Sequence, residues 1–188
     1  QEFRGYAGQI ASGTIRPGDS ITAWPSGWTS KVARIVTWDG DLDLAHAPMS
    51  VTLVLEDELD ISRGDLLAVG PIQVHRRFSA NIVWMDERPL DPGRVYLVKH
   101  NTRMATAEVD RPLALNEIGT LTVTASQPFV FDPYTENRTT GSFVLIDPAT
   151  HFTAGAGMIL RPLRDEPGVG VGSAAERLAL TARAAATD

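Results

Sequence analysis

Turn residues recur along this chain at short, regular intervals, and they leave no room for a long helix. Arg16-Pro17-Gly18-Asp19, Pro25-Ser26-Gly27, Asp39-Gly40-Asp41 and Arg63-Gly64-Asp65 punctuate the first third. Between them lie the runs Arg4 to Ala11, Ser20 to Trp24, Ser30 to Thr37, Met49 to Leu55 and Leu66 to Val69. In the fourth of these, Val51, Leu53 and Leu55 alternate against Thr52 and Glu56. Glycine supplies positive φ and proline presets it, so each run is held to a few residues and buries its apolar side as a strand. Many such strands in series predict a β-barrel or sandwich.

Gly70-Pro71 breaks the pattern and reads as a linker. A second series follows over Phe78 to Met85, Arg94 to Lys99, Thr102 to Val109, Gly119 to Ala125, Gly141 to Ile146 and Ala154 to Leu160. The expected organisation is therefore all-β, with one barrel over residues 1–72, a second over 73–162 and a tail over 163–188. In the tail, Pro167 to Gly172 is a glycine-rich spacer. Ser173-Ala174-Ala175-Glu176 has capping-box spacing ahead of an Ala-rich stretch, which predicts a flexible connector with a short helix leading to a further domain. At the other end, Gln1-Glu2-Phe3 runs at once into a strand without an initiator Met, which reads as a cut boundary.

The chain has 188 residues, a formal charge of -6, 17 basic and 23 acidic side chains, and no cysteine. Nucleic-acid binders neutralise phosphates with a basic excess that is missing here overall, so no nucleic-acid partner is expected. Absent cysteines exclude disulfides, thiolate zinc sites and cysteine nucleophiles. No apolar run approaches the roughly 20 residues of a membrane helix, so no membrane partner is expected and the cytoplasm is the default location.

Chemistry is scarce. A P-loop needs lysine between glycine and serine or threonine. The two lysines, Lys31 and Lys99, follow Ser30 and Val98 instead. His46, His75, His100 and His151 show no metal-binding spacing. The acidic run Glu56-Asp57-Glu58-Leu59-Asp60 is either a solvated link after a buried strand or a paired-carboxylate site that binds Mg²⁺. Arg63-Gly64-Asp65 is explained by a turn. No catalytic, cofactor-binding or metal-ligating residue is assigned. Asp132 to Thr140 is a polar loop between apolar strands, and Tyr134, Glu136, Asn137 and Arg138 are its candidate partner-binding residues. The alternative is a loop stapled by its own hydrogen bonds. Trp24, Trp28, Trp38 and Trp84 are core residues or interface anchors, and at least one of Trp24 and Trp28 is expected to be exposed.

The order of motifs then points to a family. Gly8-x-x-x-x-Gly13-x-x-Arg16-x-Gly18-Asp19, with Lys31-Val32-x-x-Ile35 after it, resembles the second domain of translation-factor GTPases such as elongation factor Tu. More specific are Phe3 to Gly8, Thr52 to Glu58, Ile61 to Asp65, Val83-Trp84-Met85, Leu115 to Gly119, Phe131 to Phe143 and Ala154 to Ile159. Together they resemble the large GTP-hydrolysing subunit of bacterial sulfate adenylyltransferase. The resemblance implies two consecutive barrels of the elongation factor Tu domain 2 and domain 3 type, following a GTPase domain that holds GTP and Mg. It also implies a separate small catalytic subunit that makes adenylyl sulfate and pyrophosphate from ATP and sulfate. In some bacteria an adenylyl-sulfate kinase is fused downstream. On that basis the barrels, without chemistry of their own, contact the small subunit and their own GTPase domain and relay its switch. The rival is the RNA- or tRNA-binding barrel pair of a translation factor. A free-standing β-barrel hydrolase built on Glu56 to Asp60 is a third reading.

Overall fold

The computed structural model describes residues 4–70, 73–164 and, as backbone, 180–184. The described residues form strands, turns and loops, with no helix among them. They fall into two compact units, Gln1–Ile72 with Val171–Asp188, and Gln73–Gly170.

The first unit holds β1 (Tyr6–Ile10), β2 (Thr14–Ile15), β3 (Ser20–Trp24), β4 (Thr29–Thr37), β5 (Gly40–Leu42), β6 (Ala45–His46), β7 (Ser50–Leu55) and β8 (Leu66–Val69). Alternation does what the sequence pattern asks of it. Ile21, Val32, Ile35, Val51 and Leu53 point inward and are buried, and their polar neighbours face out. Two turns share one device. At Gly18 (φ 91°) the Asp19 carboxylate accepts the Arg16 N–H at 2.8 Å, and at Gly64 (φ 100°) Asp65 accepts the Ser62 N–H at 2.8 Å. Arg63-Gly64-Asp65 is thus a turn into β8. Gly40 and Asp41, expected as turn residues, lie inside β5, and the tip of that hairpin is Trp38-Asp39. The two-residue pairing of β2 with β6 has no counterpart in the sequence pattern.

The second unit holds β9 (His75–Trp84), β10 (Tyr96–His100), β11 (Arg103–Val109), β12 (Ile118–Phe129), β13 (Ser142–Ile146) and β14 (Thr153–Pro162). They close into an antiparallel barrel in the order β10-β11-β12-β9-β14-β13, with β13 paired back to β10. Trp84 and Tyr96 meet edge to face at 5.5 Å in its core, as do Phe78 and Phe143 at 5.4 Å. Buried aromatics of this size stabilise by about 1.5–3 kcal/mol each, provided their polar atoms find partners. They do. Trp84 Nε1–H donates to the Arg88 carbonyl at 2.7 Å, and the Tyr96 hydroxyl accepts the Asp91 N–H at 2.9 Å.

The tail departs from expectation. Leu180–Ala184, expected as part of a short helix, is a strand, β15, seated antiparallel between β1 and β8. The reason is tertiary: without it β1 and β8 present unpaired backbone to each other, and two of the ring's six strand pairings are unmade. Order β3-β8-β15-β1-β7-β4, with β3 paired to β4, returns on itself, and β5 hangs on β4. The expected spacer Pro167 to Gly172 and capping box Ser173 to Glu176 lie outside the described residues.

Candidate functional site

The polar loop after β12 is built from its own hydrogen bonds. Asn137 is buried, and its Oδ1 accepts the N–H groups of Thr139 at 3.0 Å and Thr140 at 3.3 Å. Its Nδ2 donates to Asp132 at 3.3 Å, and the Thr140 hydroxyl donates to the same carboxylate oxygen at 2.9 Å. From the barrel interior, His100 reaches the Thr140 carbonyl at 2.6 Å. A carbonyl only accepts, so the imidazole carries its proton on Nε2. Burial pushes the His100 pKa below its ordinary 6.5, against the raising effect of that bond, and the nearby Arg103 charge lowers it further. Gly141 closes the loop tightly: a Cβ there would sit 2.4 Å from Tyr134 Cα.

The four candidate residues therefore separate. Asn137 holds the loop together from inside. Glu136 and Arg138 are exposed, and Tyr134 is half-buried with its N–H anchored to the Ile159 carbonyl at 2.8 Å. The loop is stapled by its own hydrogen bonds, as one of the two sequence readings expects, and it still presents three side chains outward.

Tyr134 borders a feature that the strand pattern did not reveal. Register places Ile118 opposite Val83, Val83 opposite Ala156, Ala156 opposite Val144 and Val144 opposite Lys99. Five strands thus contribute one continuous row on the outer face of the barrel, spanning roughly 20 Å at ordinary strand spacing. The next row sets Asn81 opposite Met158 and Met158 opposite Ser142. Both rows line a concavity of about 730 Å³ with Tyr134 at its rim. Its lining is largely apolar, with Ile118 70% exposed, and carries one cation, Lys99, and no carboxylate. The sequence holds a trace of this. In Ile82-Val83-Trp84 and Phe143-Val144-Leu145 the apolar run does not alternate, as expected of strands covered on both faces.

The acidic run of the first barrel makes no such site. Asp57 accepts the Ser30 hydroxyl at 2.8 Å, Glu58 pairs with Arg4 at 2.9 Å, and Leu59 is buried under Tyr6. The Tyr6 hydroxyl donates to the Leu59 carbonyl at 2.6 Å and accepts the Leu59 N–H at 3.1 Å. The carboxylates diverge, and among the described residues no group of three or more His, Asp or Glu side chains could hold a metal ion. The run is tied to its neighbours at Asp57, Glu58 and Leu59. Trp28 is 61% exposed and Trp24 half-buried, so the expectation for that pair holds.

Comparison with known proteins fits this architecture. Residues 105–160 match the GTP-eEF1A C-terminal domain-like family. The chain is 42% identical to sulfate adenylyltransferase subunit 1 of Bacteroides thetaiotaomicron, over 85% of this chain and 38% of that protein. It is 45% identical to the bifunctional enzyme NodQ of Rhizobium sp. (strain N33), over 87% of this chain and 28% of the relative. It is 46% identical to the bifunctional enzyme CysN/CysC of Rhodopirellula baltica, over 84% and 27%. The chain thus spans well under half the length of these relatives. Among solved structures, sup35 complexed with GDP superposes with a TM-score of 0.71 at 16% identity, covering 85% of this chain and 48% of that one. At that identity the likeness is one of fold.

Proposed function

Since this chain is a homologue of sulfate adenylyltransferase subunit 1, the GTPase subunit, over most of its length, we propose that its two barrels are the non-catalytic docking module of such a subunit. The parent enzyme, in this reading, forms adenylyl sulfate and pyrophosphate from ATP and sulfate in the cytoplasm, driven by GTP hydrolysis during sulfate assimilation. GTP and Mg belong to a GTPase domain outside this chain. The barrels hold the small catalytic subunit and carry to it the rigid-body movement that follows the nucleotide state.

The observation that supports this most is the outer-face row of the second barrel beside Tyr134. An apolar, preformed concavity with one charge at its end and a braced loop at its rim has the anatomy of an interface centre with a polar edge. Glu136 and Arg138 stand on that loop as rim contacts.

The test uses the full-length subunit with its small partner. Ile118→Asp and Lys99→Glu lie on the exposed face, so the barrel keeps its core. Each is expected to weaken assembly by about tenfold or more and to lower GTP-stimulated adenylyl sulfate formation in step. Arg138→Ala, on the rim, should cost less. Unchanged assembly in both groove variants, with stimulated activity intact, would overturn the reading.

A further inference from the structure

The first barrel exposes an aromatic side chain that nothing above uses. Trp38, at the tip of the β4–β5 hairpin, is fully exposed, at 101% of its reference accessibility. The hairpin itself is firmly built. β4 and β5 pair through Ile35 with Leu42, Val36 with Asp41 and Thr37 with Gly40. The Thr37 hydroxyl donates to the Gly40 carbonyl at 2.9 Å, and Gly40 takes the positive φ of 123° that the tight turn requires. The indole is therefore held out in water by a rigid support, where neither burial nor a hydrogen bond stabilises it.

The charge around it is one-sided. From Val32 to Leu44 the chain carries one basic residue, Arg34, and three acids, Asp39, Asp41 and Asp43. Arg34 is already engaged, since its Nε and Nη2 donate to the two oxygens of Asp41 at 2.7 and 3.0 Å. That fork lowers the Asp41 pKa and raises that of Arg34. Asp39 and Asp43 make no ion pair among the described residues. Next to Trp38 at the tip stands one uncompensated carboxylate, Asp39, and a second, Asp43, follows β5 at the hairpin base.

We propose that this tip docks an arginine-bearing segment of a protein partner, the guanidinium stacking on the Trp38 ring while its N–H groups reach Asp39. The choice of arginine over lysine follows from shape. A planar guanidinium offers a face to an indole and donors to a carboxylate at once, and an ammonium is a compact, strongly hydrated point charge. An anionic surface is excluded by the same aspartates. The inference concerns the first barrel alone and does not depend on what the second barrel binds.

The whole chain is titrated with two amidated peptides, Gly-Arg-Gly-Arg-Gly and Gly-Lys-Gly-Lys-Gly. The four indole N–H resonances are followed, that of Trp38 being the one missing from Trp38→Phe. The arginine peptide should move the Trp38 resonance selectively, and the lysine peptide should need roughly threefold more to do the same. Asp39→Asn should raise half-saturation by about threefold, the size of one exposed charged contact, and added salt should raise it further. A Trp38 resonance that stays still, one that moves no more than the other three, or one unaffected by Asp39→Asn overturns the proposal. Because all substituted side chains are exposed, an unaltered thermal midpoint is expected throughout.

Discussion

The two barrels close with different pieces of chain. The second draws all six strands from His75–Pro162 and completes its ladder by pairing β13 with β10. The first assembles β3, β8, β1, β7 and β4 from residues before 70, yet β1 and β8 are joined through Leu180–Ala184, beyond the whole second unit in sequence. One barrel is self-contained, and the other borrows its joining strand. A run of correctly patterned strands therefore does not guarantee a closed ring, because closure depends on how many edges are left over.

Removing residues after Arg164 is the harshest test of that contrast. The first barrel should lose hydrogen-exchange protection in β1 and β8 and take up protease cuts there, and the second should keep its protection. A truncated chain with both barrels equally protected would show that β15 does not hold the first ring together.

Next in size is Gly157→Ala in the second barrel. A Cβ at Gly157 would lie 2.1 Å from the Phe143 ring, which is buried against Phe78. Overpacking of this kind costs about 3 kcal/mol and should lower the unfolding midpoint of that barrel by on the order of 10 °C. Phe143→Leu added to it should recover part of the loss, as expected of two residues sharing one space. Equal shifts in single and double variants would refute the ring contact.

The smallest effect is one of pH. His100 is buried in the second barrel, while His46 of the first is exposed. Burial lowers the folded pKa of His100, so below about 6.5 the unfolded chain binds a proton that the folded barrel refuses. Stability contributed by the neutral imidazole is complete above that pH and falls as acidity rises. His100→Gln keeps a donor toward Thr140 and removes the titration. Thermal midpoints taken downward from pH 8 should fall less steeply for the variant, with the difference confined to the second barrel. Parallel slopes would show that the folded and unfolded chains bind the His100 proton alike, which refutes a lowered folded pKa.

Much of the strand order was legible because turns and alternation are local. Pro25-Ser26-Gly27 and Arg63-Gly64-Asp65 mark their turns by residue type alone, and Val51, Leu53 and Leu55 mark a buried face by spacing. Where the structure differs, a distant partner decides. β2 and β6 are too short to carry a pattern, β5 hides behind a Gly-Asp turn signal, and the Ala-rich composition around Leu180–Ala184 favours a helix until an open edge is offered. The loop behaves likewise. Polarity picked out Tyr134 to Arg138, but only packing shows Asn137 turned inward and the other three outward.

Residue types and their spacing, by themselves, determined that this chain forms short strands in two series, lacks a phosphate-binding loop and resembles the subunits it proves homologous to. Tertiary structure alone decided which strands meet, and with them the row from Ile118 to Lys99, since cross-strand neighbours are set by register between segments far apart in sequence. It also decided that Trp38 stands in water, because the solvent exposure of a side chain depends on what the rest of the fold places over it.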